Sequence, residues 1–167
     1  MVTVRLAGAA DADAIGRVQV ESWRAAYTGL MPQDVVDEFD VAGRQALWRE
    51  WLGAPAAPRR ANFVVEESGE VIGFASVGPS GDAPGDGELF AIYLHTSRWG
   101  SGIGRALLER AEDALRAFGF RAAILYVLEG NERAARFYRT AGWEEDGGKV
   151  DEFQGATVTE ARYRKRL

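Results

Sequence analysis

A β-rich run from Glu88 to Leu94 leads through glycines at 100, 102 and 104 into an amphipathic stretch that opens near Ile103. No other part of the chain constrains the fold as strongly, because strand, sharp turn and helix in direct succession set a helix N-terminus at the end of a strand. Gly100, Gly102 and Gly104 carry no Cβ, so the backbone there can bend sharply and turn successive N–H groups toward one point. The helix contributes its own unpaired N–H groups and the positive end of its dipole. This is the layout of an anion site, and a diphosphate-bearing ligand is the first expectation. A P-loop is excluded, since Gly104 is followed by Arg105 and Ala106 rather than Lys and Ser or Thr. A dinucleotide turn is excluded as well: it requires a small residue where Arg105 or Leu107 stands, and it usually opens its domain, whereas this turn lies past the middle of the chain.

The remaining composition narrows the classes further. With 167 residues the chain is long enough for one domain, spanning 1–167, with a sizeable core. Its 47% hydrophobic and 27% charged residues are those of a soluble globular protein. No apolar run reaches membrane-spanning length and no basic-then-apolar leader opens the chain, so a cytoplasmic protein without a membrane partner is expected. The absence of Cys excludes disulfides, thiolate metal sites and a cysteine nucleophile, and with His95 as the single histidine no metal centre is expected. A formal net charge of -5 argues against a nucleic-acid partner. The basic end, Arg162 to Arg166, reads as the solvated edge of a last strand, because Val158, Glu160 and Arg162 alternate with Thr159, Ala161 and Tyr163.

Along the chain, Val2 to Leu6 reads as a strand, and Asp11 caps a helix carrying Ile15, Val18, Trp23 and Ala26 at roughly helical spacing. Pro32 ends that region. A second helix covers Val41 to Leu52 and breaks at Gly53 and the prolines beyond it. Asn62 to Glu67 and Val71 to Val77 flank Ser68-Gly69-Glu70 as a hairpin. Residues 79–87 form a mobile-looking loop before the strand Glu88 to Leu94. The helix from Ile103 buries Leu107, Leu108, Ala111 and Leu115 and ends at Gly119. A strand over Arg121 to Leu128 precedes a helix from Asn131 to Ala141, which Gly142 terminates. Closing strands are expected at Trp143 to Glu145 and Thr157 to Arg164, with a turn at Asp146-Gly147-Gly148.

Two segments together carry a resemblance. Trp99-Gly100-Ser101-Gly102-Ile103-Gly104 matches a pyrophosphate turn of the form Gln/Arg-x-x-Gly-x-Gly/Ala, and residues 122–143 match a strand, an Asn-x-x-Ala-x-x-Phe-Tyr helix and a closing Gly-aromatic pair. In this the chain resembles the GNAT-type acyl-CoA-dependent N-acetyltransferases. It departs from their pattern at Trp99, which occupies the Gln/Arg position, with Arg98 one residue early. The resemblance implies an α/β (α+β) GNAT fold, with a mixed central sheet of about seven strands splayed at its centre and about four flanking helices. It implies acetyl-CoA as co-substrate, held by the segment from Trp99 to Arg105 and by Asn131 and Arg136. The edge of the strand at Ile92, Tyr93 and Leu94 would pair with the extended pantetheine arm and offer N–H groups to the thioester carbonyl. Tyr138 would protonate the departing thiolate. Dimers are common among such proteins, so a homodimer is a further implication.

Amide formation from a thioester also needs a neutral amine, and Glu88, which opens the strand approaching the thioester, is the candidate base. Each assignment has a plainer counterpart. Arg105 reads equally as an exposed helix residue, Asn131 as an N-cap and Tyr138 as a core aromatic, while Glu88 fits a solvated loop edge and His95 a structural strand end. Trp23 and Tyr27, with Tyr93, would form an aromatic wall for the acceptor, and Trp23 also fits the core. Glu21, Asp82 and Asp86 would make the mouth acidic. The reading is an acetyltransferase moving acetyl to a primary amine by direct attack in a ternary complex. Acetylation of peptide or protein N-termini and a non-catalytic CoA-binding regulatory module are its alternatives.

Overall fold

The computed structural model describes residues 1–167. The chain runs β1 (Val2–Leu6), α1 (Ala12–Tyr27), α2 (Gln33–Glu38), α3 (Val41–Gly53), β2 (Ala61–Glu67), β3 (Glu70–Pro79), β4 (Gly87–Leu94), α4 (Ile103–Ala117), β5 (Ala122–Leu128), α5 (Glu132–Thr140), β6 (Glu144–Phe153) and β7 (Ala156–Arg166). The strands form one seven-stranded sheet in the order β1-β2-β3-β4-β5-β7-β6. Every neighbouring pair is antiparallel except β4 and β5.

That parallel pair is where the sheet opens. β4 and β5 share only the rungs Gly87↔Ala123 and Glu88↔Ile124, after which the strands part. On the other side of β4 the register with β3 slips between Ser76↔Ala91 and Val77↔Leu89, which leaves Phe90 without a partner. A bulge of this kind bends the strand and adds twist. The expected mixed sheet, splayed at its centre, is therefore present, flanked by five helices rather than about four. The additional one is α2, a six-residue helix immediately after Pro32.

The two faces of the sheet are covered by different helices. On one face α4 and α5 pack Leu107, Leu108, Leu115 and Ala135 against Phe63, Val77, Leu125 and Tyr163. The i, i+1, i+4, i+8 spacing of Leu107, Leu108, Ala111 and Leu115 makes this stripe, and burying each leucine contributes about 1.5–3 kcal/mol. On the other face α1 and α3 pack Ile15, Val18 and Trp48 against Val64 and Phe74. A third cluster joins α1 and α2 through Val20, Trp23, Val36 and Phe39.

Both helices of the first face stop as the glycines require. Gly119 and Gly142 take positive φ of 89° and 90°, and the following residues donate back, Phe120 N–H to the Leu115 carbonyl and Trp143 N–H to that of Tyr138. The second of these bonds ties the backbone of Tyr138 to the start of β6.

Several local expectations are corrected. Asp11 precedes α1 but does not cap it; its carboxylate turns back to accept from Arg5 at 2.8 and 2.9 Å and from the Gly8 N–H at 2.7 Å. Asp146-Gly147-Gly148 is not a turn. Asp146 is a bulge within a ten-residue β6, held by Arg162 at 2.8 and 3.2 Å, and the hairpin turns later, at Gln154-Gly155. The basic run 162–166 does not lie on an edge strand, because β7 sits between β5 and β6. The loop between β3 and β4 is pinned, not loose: Asp82 accepts from Tyr126 at 2.9 Å and Lys149 at 3.0 Å, and Asp86 from Arg164 at 3.1 Å. No helix is long and apolar enough to cross a membrane.

Candidate active site

The wedge between β4 and β5 opens into a cavity of about 780 Å³. Its first wall is the glycine turn. Gly100 and Gly102 take left-handed φ of 75° and 87°, a conformation that costs a residue with a Cβ about 1–2 kcal/mol. A Cβ at either position would meet no atom within 4 Å, so the glycines serve the turn and leave open space in front of it. Gly102 stands at the N-cap of α4 with no side chain to close the helix end. The N–H groups of Gly100, Gly102, Gly104 and Arg105 are not spent on any acceptor of the chain, whereas Ile103 N–H reaches Ser101 Oγ at 3.3 Å. Gly104 lies inside α4, where a Cβ would make ordinary contact with Phe137 at 3.7 Å, so that position does not demand glycine.

Beside the turn stands α5, with Arg133 over the Trp99 ring and Phe137 near Gly104. Asn131 Oδ1 accepts from the Ala134 N–H at 3.2 Å, so the residue is the helix N-cap while it also lines the cavity. Two turns on, Tyr138 is 9% exposed, with its ring near Phe137 and Trp143. Burial, reinforced by the nearby Tyr27 hydroxyl, raises the Tyr138 hydroxyl well above the ordinary tyrosine value, so it keeps its proton at neutral pH. Burial raises Tyr93 and Tyr27 in the same direction, and their hydroxyls influence one another.

Glu88 occupies the last rung that joins β4 to β5, at the apex of the wedge. It is half-buried and accepts from Ser80 Oγ at 2.8 Å. Burial pushes its carboxyl above the usual range, against the opposing hydrogen bond from Ser80, and the charge of Asp82 adds to the rise. Beyond Glu88 the β5-facing edge of β4 has no strand partner. Its far end is closed, because the Leu94 carbonyl accepts from Trp99 Nε1 at 2.9 Å and Ser22 Oγ at 3.3 Å.

The cavity thus collects Glu88, Ile92, Tyr93, Leu94, Trp99, Gly100, Gly102, Gly104 and Arg105, together with Asn131, Arg136, Tyr138, Trp23 and Tyr27. Ser101 and Ile103 are not on its wall: the Ser101 hydroxyl turns to the Arg98 carbonyl, and Ile103 packs against the main core. Arg105 is engaged by Glu109 at 2.9 Å. His95 stays outside and sits 2.7 Å from Ser97 Oγ. Trp23 is both core and wall, 5% exposed and stacked on Phe39 at 4.4 Å.

The acidic mouth expected from Glu21, Asp82 and Asp86 is not there. None of the three lines the cavity, and the two aspartates are paired with Lys149 and Arg164. The carboxylates that do face it are Glu88, Asp151, Glu152 and Glu160, three of them from the β6–β7 hairpin. Burial raises Glu160, and Lys149 opposes that rise. Phe153 of the same hairpin meets Trp23 at 5.4 Å. Asp151, Glu152, Phe153 and Glu160 of the hairpin, and Arg133 of α5, are not among the residues that the sequence singles out. Ending the strand at Glu145 removes Lys149 to Phe153 from the sheet, and the alternation around Glu160 was the one signal that pointed toward it.

The profile of the Acetyltransferase (GNAT) family matches residues 20–143. The chain is 37% identical over 134 residues to the uncharacterized N-acetyltransferase YuaI of Bacillus subtilis, covering 78% of this chain and 74% of that protein. A crystal structure assigned to the GNAT family of acetyltransferases, from Desulfovibrio desulfuricans, superposes with a TM-score of 0.75 at 26% identity over 99% of both chains. The paiA N-acetyltransferase of Thermoplasma acidophilum, solved in complex with coenzyme A, shares the fold at a TM-score of 0.73 and 19% identity, over 100% of this chain and 99% of that one. The chain belongs to the GNAT acetyltransferase family and is an acyltransferase.

Proposed function

We propose that the chain, acting as one unit over residues 1–167, transfers an acetyl group from acetyl-CoA to a primary amine by direct attack within a ternary complex. The observation that carries this reading is the continuity of one cavity, from the free N–H groups of the glycine turn to the Tyr138 hydroxyl and the Glu88 carboxylate at the apex of the wedge. The coenzyme A bound to the Thermoplasma protein supports the choice of donor.

The glycine turn fits a diphosphate: four N–H groups of one short stretch have no acceptor within the chain, and a Cβ at Gly100 or Gly102 would meet no atom within 4 Å. Gly100, Gly102, Gly104 and Asn131 would hold the CoA arm, with Ile92 and Tyr93 alongside it on the open edge of β4. The donor supplies an acetyl thioester. Glu88, with its raised affinity for a proton, takes one from the acceptor ammonium so that the nitrogen lone pair is free to attack. As the C–N bond forms and the C–S bond breaks, Tyr138, whose proton burial retains, gives it to the sulfur, and the surplus proton that the attacking nitrogen then sheds restores the Tyr138 hydroxyl. No cysteine is present to carry the acetyl group, which agrees with direct transfer. Trp23, Tyr27 and Phe153 would enclose the body of the amine.

The test is acetyl transfer to a panel of small amines and unblocked peptides, followed by CoA release. Turnover with small amines supports the reading. Turnover with peptides alone moves it to N-terminal acetylation, and tight CoA binding without any turnover replaces it by a binding module.

A further inference from the structure

Trp99 stands where the family's turn has Gln or Arg, so the turn here brings no cation at its first position. The structure puts a different residue there. The Trp99 indole is fixed by its N–H bond to the Leu94 carbonyl at 2.9 Å, and the Arg133 guanidinium lies over its ring, 3.3 Å from the centroid. Arg133 comes from the first turn of α5, two residues after Asn131, and both Trp99 and Arg133 line the cavity beside Gly100. Of the neighbouring cations, Arg105 is held by Glu109 at 2.9 Å and Arg98 by Glu67 at 2.7 Å, while Arg136, one turn further along α5, also lines the cavity without a carboxylate but does not sit on Trp99. Arg133 has no such carboxylate, and Glu132 beside it faces Arg139 at 3.8 Å. Although the residue is largely exposed, partial burial of its guanidinium lowers its affinity for the proton.

A guanidinium carries its five N–H donors in its plane. Packing the face on an indole therefore leaves the edges free, which is the geometry that grips phosphate oxygens in pairs. We propose that Arg133, seated on Trp99, supplies the cation for the CoA diphosphate that the turn itself lacks, so that Trp99 is a platform and not a gap in the motif. This rests on the acetyl-CoA reading above.

Calorimetric titration separates the two. The ligands are CoA, dephospho-CoA, which keeps the diphosphate but lacks the 3′-phosphate, and acetyl-pantetheine, which has no phosphate. Arg133→Ala, an exposed position, should weaken CoA and dephospho-CoA alike by about tenfold to a hundredfold and leave acetyl-pantetheine unchanged. Arg133→Lys should recover little of the loss, because an ammonium neither lies flat on the ring nor binds two oxygens in a plane. Adding Trp99→Arg to Arg133→Ala should restore much of the affinity by returning the cation to the turn. Wild-type binding that Arg133→Ala leaves intact overturns the proposal, as does a loss confined to CoA, which assigns Arg133 to the 3′-phosphate instead. Failure of the wild type to bind either phosphate ligand removes the acetyl-CoA reading itself and the proposal with it.

Discussion

The two walls of the cavity are assembled in different ways. The wall formed by the glycine turn, α4, β5 and α5 comes from one contiguous stretch, Trp99 to Trp143, in which each element is started or stopped by a residue inside that stretch. Gly102 opens α4, Gly119 closes it, Asn131 opens α5 and Gly142 closes it. The facing wall brings Trp23 and Tyr27 of α1 together with Phe153 and Glu160 of the β6–β7 hairpin, segments more than a hundred residues apart in sequence. Local rules build the first wall; only tertiary packing builds the second.

The walls are joined through one buried carboxylate. Glu112 of α4, 3% exposed, accepts from Trp143 Nε1 at 3.0 Å and from Lys165 Nζ at 2.9 and 3.0 Å, and Lys165 also donates to the Ala141 carbonyl at the end of α5. Replacing it removes the polar ties from α4 to β7 and to Trp143 ahead of β6, while the apolar packing between them stays. Glu112→Ala should cost about 3 kcal/mol, because it leaves Lys165 without its counter-charge and the Trp143 indole N–H without its acceptor. Chemical denaturation checks this, and a loss below about 1 kcal/mol would mean that the walls are held together by apolar packing instead.

Tyr138→Phe probes the first wall. Removing one hydroxyl and keeping the ring should lower turnover about a hundredfold while calorimetric CoA affinity stays within about twofold. Equal turnover would take Tyr138 out of the chemistry and leave it as packing. Glu88, at the junction of the walls, predicts a pH effect. A carboxyl raised by burial holds its proton to higher pH than usual and acts as a base only above that point, so the acid limb of kcat/KM should lie above the ordinary carboxylate range. Glu88→Gln should lower kcat about thirtyfold near neutrality and abolish that limb; an unchanged limb assigns the base elsewhere. Phe153→Ala touches only the second wall. It should raise the acceptor KM about tenfold and leave the KM for acetyl-CoA in place, a split that steady-state kinetics reads directly.

The same contrast explains how far the sequence could be read. Glycines, caps and the stripe at Leu107, Leu108, Ala111 and Leu115 act within a few residues of where they stand, so the first wall and its terminators were legible. The splay of β4 from β5 follows the family resemblance and not any residue pattern, since the loss of pairing after Glu88 is a property of two distant strands. Asp146-Gly147-Gly148 carries the chemistry of a turn, yet Arg162 across the hairpin captures Asp146 and the strand continues past it. That one misplacement hid Asp151, Glu152 and Phe153 of the second wall. The resemblance implies Arg136 as a cation for the cofactor, and it lines the cavity, but Arg133 has the same character on the same helix. Only the position of Trp99 against α5 distinguishes them.

The central claim is that the glycine turn is a diphosphate cradle, and calorimetric titration of acetyl-CoA into the wild type and Gly102→Glu tests it most directly. Gly102→Ala shares the left-handed backbone strain without the charge and serves as the reference. The account predicts binding by the wild type, modest weakening in Gly102→Ala and none detectable in Gly102→Glu, where a carboxylate stands at the mouth of the cradle. A wild type that does not bind, or a Gly102→Glu variant that binds as the wild type does, would contradict it.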